Sequence, residues 1–124
     1  EALGPVRLTT RLESAGATIA LPEGYVPTLA VGLGGLGTRL TDLAGLYAGL
    51  ARDGQPVTLS ATTEKRLPPR VLPARAARAV AAMLAGMRPP QNARLGEIAY
   101  KTGTSYGHRD AFAIGFDDRR PAPV

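Results

Sequence analysis

The segment from Ile98 to Phe116, IAYKTGTSYGHRDAFAIGF, limits the possible folds of this chain more than any other stretch. Both ends of the segment suit extended backbone, and the YGHRD run between them contains a glycine, as hairpin turns commonly do. Two extended runs joined this closely pair with each other in antiparallel register. The sequence therefore predicts a β-hairpin near the C-terminal end of the chain.

The first helical segment covers residues 5–15. Leu8 and Leu12 recur on one face of a helix there, Pro5 suits a first turn, and Gly16 ends the segment. The residues that follow, 20–38, are rich in glycine and proline, so we expect connecting structure rather than a regular helix or strand interior.

A second helix is predicted from about residue 38 or 41 to residue 52, with Gly54 as a left-handed cap. A third is predicted over residues 73–87. Each of these helices has an apolar stripe that faces the core, formed by Leu43, Leu46, Tyr47 and Leu50 in the second helix and by Val80, Leu84 and Met87 in the third. Both methionines of the third helix, Met83 and Met87, are expected in the core. Between the two helices, residues 56–62 suggest a short strand and residues 64–72 an irregular connector. Helices followed by a hairpin indicate an α+β fold.

Composition excludes several classes of function. The chain has no cysteine and a single histidine, which removes disulfides, thiolate chemistry and a His-based metal site, so we expect no metal and no cofactor. The net charge is +5, but the arginines are scattered and aromatic residues make up only 5% of the chain. Nucleic-acid binding is not expected, because it would need clustered charge and stacking rings. The GLGGLG run from Gly32 to Gly37 does not follow a strand of a βαβ unit, so it is not a dinucleotide site.

The run Lys101-Thr102-Gly103-Thr104 is the chemically distinctive part of the hairpin. A strand that offers an ammonium group, two hydroxyls and a glycine is suited to gripping a peptide-like substrate with a free carboxylate. Gly103 lets a ligand approach the main chain, and the N–H of Thr104 can stabilise a tetrahedral oxyanion. Ile98 or Phe112 is expected to carry the core packing of the hairpin, and His108 to be a solvated turn residue.

The run YKTGTSYGHRDAFAIGF resembles the third active-site motif, K-T-G, of the penicillin-binding protein transpeptidases and the strand that follows it. The resemblance is nearest to the one-C branch of class A, and it extends upstream through VGLGGLGTRLTDLAGLYAGLARDGQPV to cover about residues 1–118. It implies a partial fold of the penicillin-binding protein and serine β-lactamase type, with helices and an antiparallel hairpin. Residues 1–124 would be the C-terminal part of the domain, mainly helical over 1–96, with the motif hairpin at 97–118.

The resemblance also implies a function. The parent enzyme would be a serine D,D-transpeptidase that cross-links peptidoglycan stem peptides ending in D-Ala-D-Ala, and β-lactams would trap its serine. Catalysis would involve Lys101 and Thr104, and substrate binding Thr102, Gly103, Thr104 and Ser105. The parent would act at the periplasmic face of the bacterial inner membrane, with its anchor outside this chain, and the branch implies a glycosyltransferase domain as well.

The chain departs from the family because it contains no Ser-x-x-Lys and no Ser-x-Asn. In the family both motifs precede the helix that opens this chain, and a further strand follows the hairpin. We therefore expect half a domain that is inactive alone and that self-associates through the open edge of residues 111–116. Two alternatives remain: a non-catalytic fragment that binds an anionic polymer or a protein through its basic surface, and a piece of a class A β-lactamase-like hydrolase.

Overall fold

The computed structural model describes residues 4–59, 68–88 and 98–117. These residues form three α-helices and two antiparallel strand pairs, which confirms the predicted α+β class at this level. The helices are α1 (Pro5–Ser14), α2 (Leu40–Ala51) and α3 (Ala74–Ala85), with short 3₁₀ turns at Leu29–Leu33 and Tyr106–His108. Strand β1 (Ile19–Ala20) pairs with β2 (Gly37–Thr38), and β3 (Ala99–Thr104) pairs with β4 (Ala111–Phe116).

Helix α1 begins and ends where the sequence indicated. Pro5 occupies its first turn, and Gly16 follows with φ of +91°, a conformation that favours glycine. Beyond it, β1 and β2 form a small strand pair inside the glycine-rich region where no strand was expected. Gly37 lies opposite Ala20 in that pair, and a Cβ on Gly37 would lie 3.3 Å from the Ala20 Cβ, so glycine permits the close approach.

A polar contact near the N-terminus of α2 joins this helix to the residue that precedes β1. Asp42 lies in the first turn of the helix, and its carboxylate accepts a 2.8 Å hydrogen bond from the backbone N–H of Thr18. That hydrogen bond lowers the pKa of Asp42 below its usual value of 3.8. The carboxylate thus links two parts of the chain that are distant in sequence.

The buried face of α2 is formed by glycine. Gly45 and Gly49 are both buried, and the extended residues next to Pro56 cross them so closely that a Cβ on Gly45 would lie 2.1 Å from the carbonyl oxygen of Val57. The N–H of Val57 donates to the carbonyl of Gly45 at 3.1 Å. The strand expected over 56–62 is therefore wrong for residues 56–59, because this backbone bonds to a helix instead of a neighbouring strand; residues 60–62 lie outside the described part.

Helix α3 packs through alanine rather than methionine. Ala77 is completely buried, whereas Met83 is 70% exposed and Met87 is also exposed. The expectation of two core methionines is thus wrong: the small side chains let α3 approach its neighbours closely and leave the larger ones outside. Arg78 forms a paired contact of 2.8 and 3.0 Å with the carboxylate of Asp53, which joins α3 to the end of α2.

Candidate functional site

The hairpin is attached to the helices at its open end. Ala99, the first residue of β3, is buried, and the ring of Phe116, the last residue of β4, meets the ring of Tyr47 on α2 edge to face with 6.4 Å between centroids. Ala99 and Phe116 also border a cleft of about 310 Å³ between α2 and α3. Ile98 or Phe112 was expected to carry this packing, but the two residues are 54% and 46% exposed, so that expectation is wrong.

The strand register separates the motif residues onto two faces. Lys101 lies opposite Ile114 and Gly103 opposite Phe112, so these residues share the face of Ala99 and Phe116. Thr102 and Thr104 point to the other face, where both are exposed. The two threonine hydroxyls and the lysine side chain therefore do not converge on one surface of the sheet.

The backbone groups of β3 that do not bond to β4 lie on the outer edge of the strand, at the two threonines. The N–H of Ser105 donates to the carbonyl of Asp110 at 2.9 Å. This bond shows which residues of the hairpin direct their backbone groups toward the opposite strand and which direct them outward. Residues two and four positions back, Gly103 and Lys101, then direct their backbone groups toward β4. The N–H and C=O groups of Thr102 and Thr104 consequently point away from β4, where no strand pairs with β3 within the described ranges.

Lys101 adds positive charge to this outer edge. Its side chain is exposed, and Nζ donates a 2.7 Å hydrogen bond to the carbonyl oxygen of Thr102. The ammonium therefore bends from its own face of the sheet to the outer edge, where it bonds the carbonyl of Thr102 beside the outward-facing N–H of Thr104. An anionic ligand at this edge would find a cation and a backbone N–H within one short stretch of strand.

Gly103 has an intramolecular neighbour that the sequence did not indicate. A Cβ on Gly103 would lie 2.7 Å from Cζ of Phe112, so the tip of that ring occupies the space above the glycine. The contact could have been predicted by aligning the two strands of the hairpin, which places Gly103 opposite Phe112. In such a pair the aromatic ring covers the exposed backbone of the glycine. Phe112 is thus part of the surroundings of the motif.

Ser105 closes the turn of the hairpin. Its hydroxyl accepts a 2.8 Å hydrogen bond from the N–H of Asp110, and its carbonyl accepts one of 3.0 Å from the N–H of His108. Both the Ser105 hydroxyl and its backbone are therefore engaged in shaping the turn. His108 is exposed with φ of +57°, as a turn residue rather than part of a side-chain cluster.

The described residues 4–59, 68–88 and 98–117 contain neither a metal-binding cluster nor a membrane-spanning helix. No group of three or more histidine, aspartate or glutamate side chains lies close enough to hold a metal ion. None of the helices there has the length and apolar character needed to cross a bilayer.

Comparison with known proteins gives one informative relationship. The chain is 37% identical over 124 residues to "Penicillin-binding protein 1C" of Escherichia coli (strain K12), a match that includes 96% of this chain and 16% of that protein. The chain therefore spans about one sixth of the length of the relative it matches. No family model and no solved structure matches the chain.

Proposed function

The chain is a segment related to the penicillin-binding proteins, and from this relationship we propose that it forms the C-terminal part of a peptidoglycan transpeptidase domain. The resemblance of its K-T-G motif to the class A branch agrees with the name of the relative. In this proposal the three helices and the hairpin are part of a fold of the penicillin-binding protein and serine β-lactamase type. The longer protein works at the periplasmic face of the inner membrane, with its anchor outside these residues.

The proposed reaction is a D,D-transpeptidation that passes through an acyl-serine. A serine outside this chain attacks the carbonyl between the two terminal D-alanines of a stem peptide, and the last D-alanine leaves with its amine protonated. An amine of a second stem peptide then attacks the acyl-serine, forming the cross-link and restoring the serine hydroxyl. A β-lactam acylates the same serine as its ring opens.

The observation that carries the proposal is the outer edge of β3. Lys101 places its ammonium against the carbonyl of Thr102, and the hydrogen-bonding pattern of the hairpin directs the N–H of Thr104 outward. The ammonium would attract the terminal carboxylate of a stem peptide or a β-lactam, and the N–H of Thr104 would stabilise the developing oxyanion. Loss of one such donor typically costs about 3 kcal/mol of transition-state stabilisation.

The threonine hydroxyls have a different part in this proposal from that of the lysine. Because Thr102 and Thr104 lie on the face opposite Gly103, their hydroxyls would approach a ligand at the outer edge from the face opposite that of Lys101. Ser105 contributes through the turn that holds β3 in register, since its hydroxyl is bonded to the N–H of Asp110.

The test is labelling by a fluorescent penicillin. The 124-residue chain, which has no Ser-x-x-Lys, should remain unlabelled, whereas the longer protein should form an acid-stable covalent adduct. Prior treatment with unlabelled penicillin should abolish that adduct, which separates acylation of a specific serine from adsorption to a basic surface. Rapid release of the label by hydrolysis would favour the β-lactamase-like alternative, and absence of any adduct in the longer protein would sink the proposal.

A further inference from the structure

Phe112 lies over the backbone of the motif without being part of the core. The tip of its ring, Cζ, lies 2.7 Å from the position of a Cβ on Gly103, and two further ring atoms lie within 3.2 Å of it. Yet 46% of the residue remains exposed. The ring therefore has one part against the glycine and another part open to solvent.

The routes by which a ligand can reach the backbone of β3 are restricted by this ring. The inner edge is paired with β4, and one face carries the side chains of Thr102 and Thr104. On the other face the missing side chain of Gly103 would leave an opening, but Phe112 fills it. The outer edge, beside Lys101, is the remaining route along this part of the strand.

We infer that Phe112 is a specificity-determining residue of the proposed site: its ring closes the Gly103 face and offers an apolar wall to the side group of a ligand bound along the outer edge of β3. Lys101 is the diagonal neighbour of Phe112 on the same face, two register positions along the hairpin, so a ligand whose carboxylate meets Lys101 has its acyl side group within reach of the ring. The group that fits such a wall is aromatic or branched aliphatic, because a phenyl ring gains by stacking and by removal of apolar surface from water.

The inference rests on the proposed function, and its test uses the longer protein and two β-lactams. One is benzylpenicillin, which carries a phenyl side group, and the other is 6-aminopenicillanic acid, which has the same nucleus without that group. For each we would measure the second-order rate constant of acylation. We would then divide the constant for benzylpenicillin by the constant for 6-aminopenicillanic acid. The ratio isolates the side group, because a general loss of folded or active protein lowers both constants equally.

We expect Phe112→Ala to lower the ratio by about three- to tenfold, which is the effect expected from the loss of one aromatic contact with the side group. Phe112→Tyr should keep the wild-type ratio, because it retains the ring, and Phe112→Leu should fall between. Leu33→Ala is the matched control, since Leu33 is a large exposed apolar residue outside the hairpin. If Phe112→Ala and Phe112→Leu change both constants by the same factor, or change neither, the inference is overturned while the proposed function stands. If the wild-type protein is not acylated at all, both are overturned.

Discussion

Gly103 and Phe112 face each other across the hairpin, and the ring of Phe112 occupies the space that a side chain on Gly103 would need. Glycine in a strand interior is otherwise unfavourable, because it loses more backbone entropy than other residues and has no side chain to pack. Here the aromatic ring covers the exposed backbone of its partner. The stability of the hairpin and the shape of the motif therefore depend on the same pair of residues.

This pairing predicts a change of sign in a double-mutant experiment on the 124-residue chain. Gly103→Ala alone should destabilise by about 1 kcal/mol, because it forces the ring out of its rotamer and contact. In a Phe112→Ala background the same change should stabilise by about 0.5 kcal/mol, because alanine is the better strand residue once the space is empty. Urea unfolding of the wild type, the two single variants and the double variant measures both values. Equal effects of Gly103→Ala in the two backgrounds would contradict the contact. Gly103→Val should cost more than Gly103→Ala, because its branched side chain displaces the ring of Phe112 further.

Lys101→Ala should lower β-lactam acylation of the longer protein by about 10- to 100-fold, the cost of losing a charged hydrogen-bonding partner. The fold should be unaffected, since the side chain is exposed and bonds only to the carbonyl of its neighbour Thr102 among the contacts described. Thermal melting provides that comparison. Arg75→Ala removes an exposed cation from α3 and should leave labelling unchanged. Normal labelling of Lys101→Ala would remove this lysine from the site.

The glycine face of α2 predicts a pair of contrasting substitutions. Gly45→Ala should destabilise the chain by about 1–3 kcal/mol, because its Cβ would overlap the carbonyl of Val57, which is backbone and moves only with its segment. Gly32→Ala is the control: nothing lies within 4 Å of its Cβ position, so its effect should be close to zero or slightly stabilising. Similar midpoints of urea unfolding for the two variants would show that the close crossing at Gly45 is absent.

The Asp42–Thr18 contact predicts a pH dependence. Because folding lowers the pKa of Asp42, the ionised carboxylate stabilises the folded state above its ordinary pKa of 3.8, and this contribution is lost as the pH falls through the lower folded value. Asp42→Asn should therefore be less stable than wild type at pH 7, and the difference should shrink below about pH 4. Glu23→Gln, which neutralises an exposed carboxylate in a connector, should follow the wild-type curve. A difference that is constant with pH would exclude the charge as its cause.

The open edge of β4 predicts self-association of the 124-residue chain. The hydrogen-bonding pattern of the hairpin directs the N–H and C=O groups of three β4 residues away from β3, namely those of Ala111, Ala113 and Gly115. Among the described residues, no strand lies on that outer side of β4. A short uncharged edge of this kind is a template for antiparallel pairing with a second copy. Sedimentation velocity at tens of micromolar should show dimers or larger species.

A matched pair of variants tests whether this edge is responsible. Ala113→Pro removes an outward N–H without removing a bond to β3 and should restore the monomer. Ala113→Val keeps that N–H and should associate like wild type. A wild-type chain that sediments as a monomer would contradict the prediction outright.

The sequence by itself determined the elements whose signals are local. The proline and glycine at the ends of α1, the apolar stripe of α2 and the alternation around the YGHRD turn each arise from a few neighbouring residues, and all three predicted elements are present. The relationship to the penicillin-binding proteins was also readable from the sequence, because the K-T-G run and its flanking residues are contiguous in the chain.

The tertiary structure alone decided which residues touch. Alanine rather than methionine packs α3, and Pro56 and Val57 run against the glycines of α2 instead of forming part of a strand, because close backbone approach depends on a distant partner that no local pattern reveals. The same holds at the candidate site. The contiguous run in the sequence suggested that Lys101, Thr102, Gly103 and Thr104 act together. Strand alternation instead divides their side chains between two faces, and the register with β4 places Phe112 over Gly103. Pairing across a sheet is fixed by which residues lie opposite, and that is a property of two strands together.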